Sequence, residues 1–553
     1  MNKKWWKEAV AYQIYPRSFM DSDGDGIGDL RGVISKLDYL KNLGVDVIWI
    51  CPIFKSPNAD NGYDISDYQD IMEDFGTMED FDELLEEVHN RDMRLILDLV
   101  VNHTSDEHPW FIESRSSKEN PKRDWYIWRD RKEGKEPNNW ESIFSGSAWE
   151  YDEKTGQYYM HVFATKQPDL NWEKAEVRDA VYEMIRWWLD KGIDGFRVDA
   201  ISHIKKKDGL PDMPNPEGLD YVSSFEGHMN QEGIQEYLQE LKEQTFARYD
   251  IMTVGEANGV KIEQADEWVG EINGKFNMIF QFEHLGLWEK GNNGSVDLVQ
   301  LKKTLTKWQK GLENKGWNAL FLENHDQARS VSTWGNDEEY LSESAKALGT
   351  MYFLMQGTPF IYQGQEIGMT NVRFDSIDDY DDVAMKNYYE IETKKGRPHE
   401  EIMEIIWTKG RDNSRTPMQW DNSDNGGFTI GTPWMGVNDN YTFINVEEQE
   451  KDSSSILSFY KEMIKLRKTE DVFIYGNYDL ILDSHEQIYA YTRTLGDQKA
   501  LVISNISSEP AQYNNADLAL STENLVLQNY QVEEHQNTTS FELQPWETRV
   551  YVL

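Results

Sequence analysis

Several short apolar runs in this sequence finish on residues able to do chemistry. Asp98 lies within the run 95–101, with Asn102 and His103 directly after it. Arg197 and Asp199 close the run 195–199, Glu256 follows 251–255, and Glu323-Asn324-His325-Asp326 ends the run that starts at Ala319. Carboxylates serve as nucleophiles, general acids or general bases once their environment is tuned. An isolated acid after a strand more often caps the next helix. Several in succession, each at the carboxyl end of an apolar run, point instead to loops converging on one pocket. A second acidic cluster, Asp21-Ser22-Asp23-Gly24-Asp25-Gly26-Ile27-Gly28-Asp29, alternates carboxylates and adds the Ile27 carbonyl, a donor set for a hard, oxygen-seeking cation. It is not an EF-hand, because Gly32 stands where a bidentate Glu is required.

The elements that must position these groups read as strands alternating with amphipathic helices. Runs at 9–16, 45–50, 95–101, 195–199, 251–255, 277–282, 319–323 and 359–362 give about eight strands, several of them apolar on both faces as parallel strands are. Between the first two, Ile34, Leu37, Leu40 and Leu43 share a helical face and Gly44 follows as a stop. Val177, Val181, Met184 and Trp188 mark a helix over 177–190. That count predicts a closed α/β barrel. A doubly wound open sheet is the alternative, without an early glycine-rich phosphate loop to support it. The interval 104–172 exceeds a simple βα loop and reads as an inserted subdomain, and a second long insertion runs from about 370 to 450. After a helix over 454–468 the pattern turns to alternating strands around Leu495-Gly496-Asp497, a separate β domain. The expected division is a barrel from 1–103 and 173–470, an insertion at 104–172 and a C-terminal domain at 471–553.

Composition narrows the function classes. The 553 residues carry 56 basic and 99 acidic side chains, a net charge of −43. Such a surface opposes binding to phosphate backbones or anionic membranes, so neither nucleic acid nor membrane is an expected partner. It also suits high salt, where self-repulsion is screened. Cys51 is the only cysteine, which excludes an internal disulfide or a thiolate metal cluster and fits a reducing compartment. The N-terminal stretch lacks the apolar core of a secretory signal, and no run approaches a membrane span. The expectation is a cytoplasmic monomer.

The segments Asp98-Leu99-Val100-Val101-Asn102-His103, Gly195-Phe196-Arg197-Val198-Asp199, Gly255-Glu256 and Glu323-Asn324-His325-Asp326 resemble, in order, the four signature regions of the α-amylase family, glycoside hydrolase family 13. Gln167-Pro168-Asp169-Leu170-Asn171-Trp172 and Gly364-Gln365-Glu366-Ile367-Gly368 resemble a fifth and a sixth. The resemblance implies a (β/α)8 TIM barrel with a subdomain after the third strand and a C-terminal antiparallel β-sandwich. It also implies a retaining double displacement, with Asp199 as nucleophile, Glu256 as acid/base and Asp326 as the third carboxylate, which holds sugar hydroxyls and stabilises the oxocarbenium-like transition state. Arg197, on the same strand face, is expected to keep Asp199 ionised. His103 and His325 are expected to hydrogen-bond the same sugar ring, and Phe144, Phe163 and Phe282 to line it. By the same resemblance the acidic loop, Asp21, Asp23, Asp25, Ile27 and Asp29, binds Ca²⁺ in a structural role, with Mg²⁺ as the alternative.

Within the family, Asn58-Ala59-Asp60-Asn61-Gly62-Tyr63-Asp64 and the segment 411–420 resemble the oligo-1,6-glucosidase and α-glucosidase group. Asp60 and Arg415 are expected to close the far end of the pocket on the terminal glucose, with Arg411 as the weaker candidate and Tyr63 stacking on the ring. A closed pocket implies exo action on short oligosaccharides. Ala200, directly after the nucleophile, lacks the branched Val usual in α-1,6-preferring relatives, and Asn258 can donate to the leaving sugar; both favour the α-1,4 bond, as in maltose. The alternatives are an oligo-1,6-glucosidase, a hydrolase of trehalose or its 6-phosphate, and a trehalose synthase. Glu283-His284-Leu285 replaces the segment carried by sucrose isomerases, which leaves transglucosylation open. An inactive transporter heavy subunit would share the fold, yet would need a membrane anchor and a lost catalytic set.

Overall fold

The apolar runs form eight parallel strands in the computed structural model, which describes residues 3–287 and 296–553. Of the N-terminal stretch read for a leader, residues 1 and 2 lie outside the described residues. The strands are β1 (Ala11–Ile14), β2 (Val47–Ile50), β3 (Arg94–Val100), β4 (Gly195–Asp199), β5 (Met252–Glu256), β6 (Met278–Phe280), β7 (Ala319–Leu320) and β8 (Thr358–Tyr362). Their hydrogen-bonded order is β6-β5-β4-β3-β2-β1-β8-β7, parallel throughout. The two end strands, β6 and β7, lie against each other, so chain order runs round a ring. A doubly wound sheet would reverse its order at a switch point. The fold is therefore the (β/α)8 barrel.

Side chains alternate between two cores, as the two-residue period of a strand requires. Val47, Trp49, Ile96, Met252, Val254, Met278, Phe280 and Phe360 fill the barrel interior. Ile48, Ile50, Leu95, Leu97, Phe196, Val198, Ile279 and Ile361 turn outward to the helices. The same alternation points Asp98 inward above Ile96 and Glu256 inward above Val254. With Phe196 and Val198 outward, Arg197 and Asp199 must face the interior. Phe280 forms the floor beneath them, stacked on Trp49 at 5.6 Å and edge-on to Phe321 and Phe360 at 4.9 and 4.8 Å.

The helix over Ala175–Lys191 buries Val177, Val181, Met184 and Trp188, and ends at Gly192, whose φ of 108° suits only glycine well. The helix expected around 34–43 is two pieces, Leu30–Ser35 and Leu37–Leu43, interrupted at Lys36. Between β3 and the Ala175–Lys191 helix, Trp128–Arg129, Trp149–Asp152 and Gln157–Met160 form a small antiparallel sheet with its own core around Trp140, Trp149 and Met160. Residues 222–223, counted with the barrel from sequence, pair with Trp140–Glu141, and Met213 joins that core. In the second insertion, helices Val383–Lys394 and His399–Lys409 pack around Ile402, Met403 and Ile406.

The C-terminal unit has a five-stranded antiparallel sheet and a separate pair, Ala511–Asn514 with Ser540–Leu543. Its central hairpin, Ile488–Leu495 and Gln498–Asn505, turns on two residues, with Gly496 at φ 59°. Buried Lys302 on a barrel helix donates to the carbonyls of Leu482, His485 and Ile488, at 2.6, 2.6 and 3.1 Å, and so ties this unit to the barrel. Among the described residues no helix is long and apolar enough to cross a membrane.

Candidate active site

At the carboxyl ends of the strands lies a pocket of about 200 Å³. Asp199 and Glu256 enter it as the last residues of β4 and β5, and His325 and Asp326 follow β7 in the loop. Asp60, Tyr63, His103, Phe144, Phe163, Ala200, Asn258, Phe282 and Arg411 complete most of the wall. The first of the expected site residues to fall elsewhere is Arg197, which lies beneath the pocket, 2 % exposed. The other is Arg415, fully buried behind Asp326.

One guanidinium organises three acids. Arg197 Nη1 donates to Asp98 Oδ1 at 2.8 Å and to Asp199 Oδ1 at 2.7 Å, while Nη2 donates to Glu256 Oε2. Burial pushes all three carboxyls up and Arg197 pulls them back. For Asp199 and Glu256 the neighbouring carboxylates push up again, so both end above the ordinary range. Arg197 contacts Asp199 as expected, but it does not by itself hold Asp199 ionised, because its single charge is divided three ways. Asp98, Asp199 and Glu256 titrate as one coupled group that holds a proton more tightly than isolated acids do.

Asp326 behaves in the opposite way. Burial pushes it up, yet His325, Arg411, Arg415 and Arg197 outweigh that and hold it well below the ordinary carboxylate range. His325 touches it at 3.1 Å but is itself kept neutral, its pKa lowered to about 3 by burial. The two nearby guanidiniums therefore supply most of the charge, Arg415 Nη2 at 2.9 Å and Arg411 Nη1 at 3.2 Å. His325 Nδ1 meets Gln13 Nε2 at 2.8 Å, and its ring stacks on Tyr63 at 5.2 Å. Tyr63 in turn donates to Asp98 Oδ2 at 2.9 Å, and the stacked His325 occupies one face of its ring.

The guanidinium that lines the pocket beside Asp60 is that of Arg411, not Arg415. Arg411 Nη2 reaches Asp60 Oδ1 at 3.2 Å and buried Asp382 Oδ1 at 2.6 Å, and the guanidinium lies over Phe144 at 4.9 Å. Asp382 had no signal in the sequence; it is one acid of an acidic stretch, and only the fold turns it to Arg411. Gln167 Nε2 donates to Asp60 Oδ2 at 3.1 Å and meets His103 Nε2 at the same distance. His103 is kept neutral, lowered to about 4 by burial. Ile143, His203 and Phe225 also line the pocket and were missed, as apolar or lone residues without a motif. Ala200 has φ 45°, the left-handed region, one residue beyond Asp199.

In the acidic loop after β1, the carboxylates of Asp21, Asp23 and Asp29 present oxygens within 4.8 Å of one another. Asp25 is not among them; its Oδ1 accepts from the Ile27 amide at 2.7 Å. Asp21 and Asp29 are oriented by N–H and O–H donors: Gly24 and Gly26 amides and Thr429 for the first, Ser22 and the Gly32 amide for the second. Three like charges so close, all of oxygen donors, fit a hard divalent cation.

Residues 13–476 match the family described as alpha amylase, catalytic domain, and residues 488–550 match the alpha-amylase SusG C-terminal domain. The chain is 64% identical to a probable oligo-1,6-glucosidase 3 of Bacillus subtilis, with both chains covered in full. It is 56% identical to an oligo-1,6-glucosidase of Parageobacillus thermoglucosidasius over all of this chain and 99% of the other. Among solved structures, trehalose-6-phosphate hydrolase of Bacillus licheniformis superimposes over the full length of both chains with a TM-score of 0.92 at 46% identity. With three acids at the strand ends of a (β/α)8 barrel and full-length relatives of this kind, the chain belongs to the α-amylase family and is a glycoside hydrolase of its α-glucosidase group.

Proposed function

We propose that the protein is an exo-acting, retaining glucosidase that releases α-linked glucose from the non-reducing end of short gluco-oligosaccharides, with α-1,6 bonds such as that of isomaltose as its substrates. The observation that carries exo action is the closed end of the pocket, where Arg411 is held between Asp60 and Asp382. The names of the full-length relatives support the α-1,6 bond. The pocket itself supports a second reading, the α-1,4 bond expected from sequence, because Ala200 and Asn258 both line it and leave room beside the scissile bond.

In the reaction, Glu256 carries the proton of the coupled carboxyl group and gives it to the glycosidic oxygen as the C1–O bond breaks. Asp199 adds to the anomeric carbon, forming the glucosyl ester. Glu256, now ionised, takes a proton from water, whose oxygen attacks C1 and displaces Asp199. A sugar hydroxyl in place of that water gives transglucosylation. Asp326, held ionised, stabilises positive charge developing on the ring. Arg197 stays beneath the sugar and limits repulsion among the acids. Asp21, Asp23 and Asp29 would hold a Ca²⁺ in a structural role, since none of these steps needs a metal. The lone Cys51 suits a reducing compartment, and the cytoplasm is the compartment we favour.

The test is a comparison of kcat/KM on isomaltose, maltose, maltotriose, sucrose, trehalose and trehalose 6-phosphate, with wild type and Asp199→Asn. A higher value on isomaltose than on maltose is expected; the reverse order selects the α-1,4 reading. Wild-type rates in the Asp199→Asn variant would remove the proposed nucleophile.

A further inference from the structure

The opposite end of the barrel carries a cavity that hydrolysis does not use. Its volume is about 450 Å³, against about 200 Å³ for the sugar pocket, and within the roughly 300–1,000 Å³ typical of small-molecule sites. It opens beside the amino-terminal ends of β5 and β6, lined there by Ile251, Thr253 and Asn277. Lys4, Lys7, Lys242 and Lys275 reach it, against two lining acids, Asp250 and Glu271, while Glu267 and Asp266 act on Lys275 from outside the lining. In a chain with 56 basic and 99 acidic residues, that balance is locally inverted.

Three of these ammonium groups are held in place. Lys242 Nζ donates to the Gly274 carbonyl at 2.7 Å and Lys275 Nζ to the Asn273 carbonyl at 2.8 Å. Lys7 Nζ pairs with Glu271 at 2.7 Å and lies over the rings of Trp6 and Trp317, at 5.4 and 5.1 Å. An ammonium has three protons, so each keeps donors beyond the bond that fixes it. Lys242 and Lys275 face carbonyls there, not carboxylates, so their charge is oriented and not neutralised by those bonds. Phe246, Phe276 and the 89 % exposed Ile272 add apolar wall beside them.

We propose that this cavity binds a small phosphate monoester with a compact organic body, of the size of a hexose phosphate, through Lys242 and Lys275. The ester's oxygens would accept from the two ammonium groups, and its body would lie against the aromatic wall. This inference is independent of the linkage that the hydrolytic site cleaves.

Isothermal titration of the full-length protein with glucose 6-phosphate, inorganic phosphate and glucose tests it. Saturable one-site binding of glucose 6-phosphate is expected that persists with the sugar pocket filled by excess glucose, and binding at least tenfold weaker for inorganic phosphate. Lys242→Met and Lys275→Met should each weaken the ester at least fivefold while leaving the melting temperature and the hydrolysis of isomaltose and maltose unchanged. Absence of saturable binding overturns the proposal. So does binding that survives both substitutions, which puts the ligand elsewhere, and so does equal binding of inorganic phosphate, which removes the organic body from the recognition. If the Met variants misfold, Lys242→Gln and Lys275→Gln take their place with the same expected losses.

Discussion

Replacing Ala200 by Val places two methyl groups beside the bond to be cleaved, and the structure fixes what that should do. Ala200 is 1 % exposed, follows Asp199 directly and lines the sugar pocket, so the added carbons have no solvent to enter. Ala200 already bears the Cβ penalty of its left-handed φ of 45°, so Val adds only the crowding of its branch and of the extra volume, typically about 1–3 kcal/mol. The stability loss should therefore be of that size, read as a lowered midpoint of urea unfolding. The catalytic effect is separate. One methylene-sized change in a pocket is worth about 1–3 kcal/mol of discrimination, roughly 10- to 150-fold in the ratio of kcat/KM between two substrates. An α-1,6 link has one more rotatable bond than an α-1,4 link, so its leaving sugar can turn away from position 200 where that of an α-1,4 link has less freedom to do so. The ratio of kcat/KM on isomaltose to that on maltose should thus rise at least about tenfold in Ala200→Val. The assay is glucose release from each disaccharide by the same preparation, with unfolding measured in parallel. A folded variant whose ratio stays within twofold of wild type would refute the argument that this position gates the bond.

Other outcomes follow from the same geometry. Asp382→Ala removes the 2.6 Å partner of Arg411 and leaves it to Asp60 and Asp326, both at 3.2 Å; the loss should be about 1–3 kcal/mol in urea unfolding, with a raised KM, and an unchanged KM would show that Arg411 does not meet the sugar. Burial lowers His103 and His284 to about 4 and His203 and His325 to about 3, so between pH 6.5 and 4 the unfolded chain takes up protons that the folded chain refuses. The stability each of these contributes is fully present above pH 6.5 and is lost as the pH drops, by about 3 kcal/mol for His284 alone; the buried acids with raised pKa act in the opposite sense, so the check is His284→Gln, whose unfolding midpoint should fall less than that of wild type from pH 7 to 5, and parallel curves would contradict it. Removing Ca²⁺ with EGTA should lower the melting temperature without changing kcat at 25 °C, since an ion at 100 times its Kd contributes about 2.7 kcal/mol. An identical melting curve with EGTA, Ca²⁺ or Mg²⁺ in both wild type and Asp21→Asn would argue against any ion there.

Much of this molecule is local and periodic, and that part was legible in the amino-acid sequence. The two-residue alternation puts Asp98 on the face of Ile96 and Glu256 on the face of Val254, while which of the two apolar faces is the interior is set by closure of the barrel. The apolar runs, the glycine after the Ala175–Lys191 helix and the Leu495-Gly496-Asp497 hairpin set the order of elements. What the tertiary structure alone decided is which charges meet. Arg415 and Arg411 are four residues apart and the sequence favours Arg415 for the pocket, yet the loop buries Arg415 behind Asp326 and turns Arg411 into the pocket. Asp382 and Gln167 gain their roles only because the two insertions fold back over the barrel mouth. The sharing of Arg197 among Asp98, Asp199 and Glu256 likewise depends on distances across three strands. Coulomb interactions and burial act between residues far apart along the chain, so the protonation of these acids and the shape of the closed pocket belong to the packed structure, not to any segment of it.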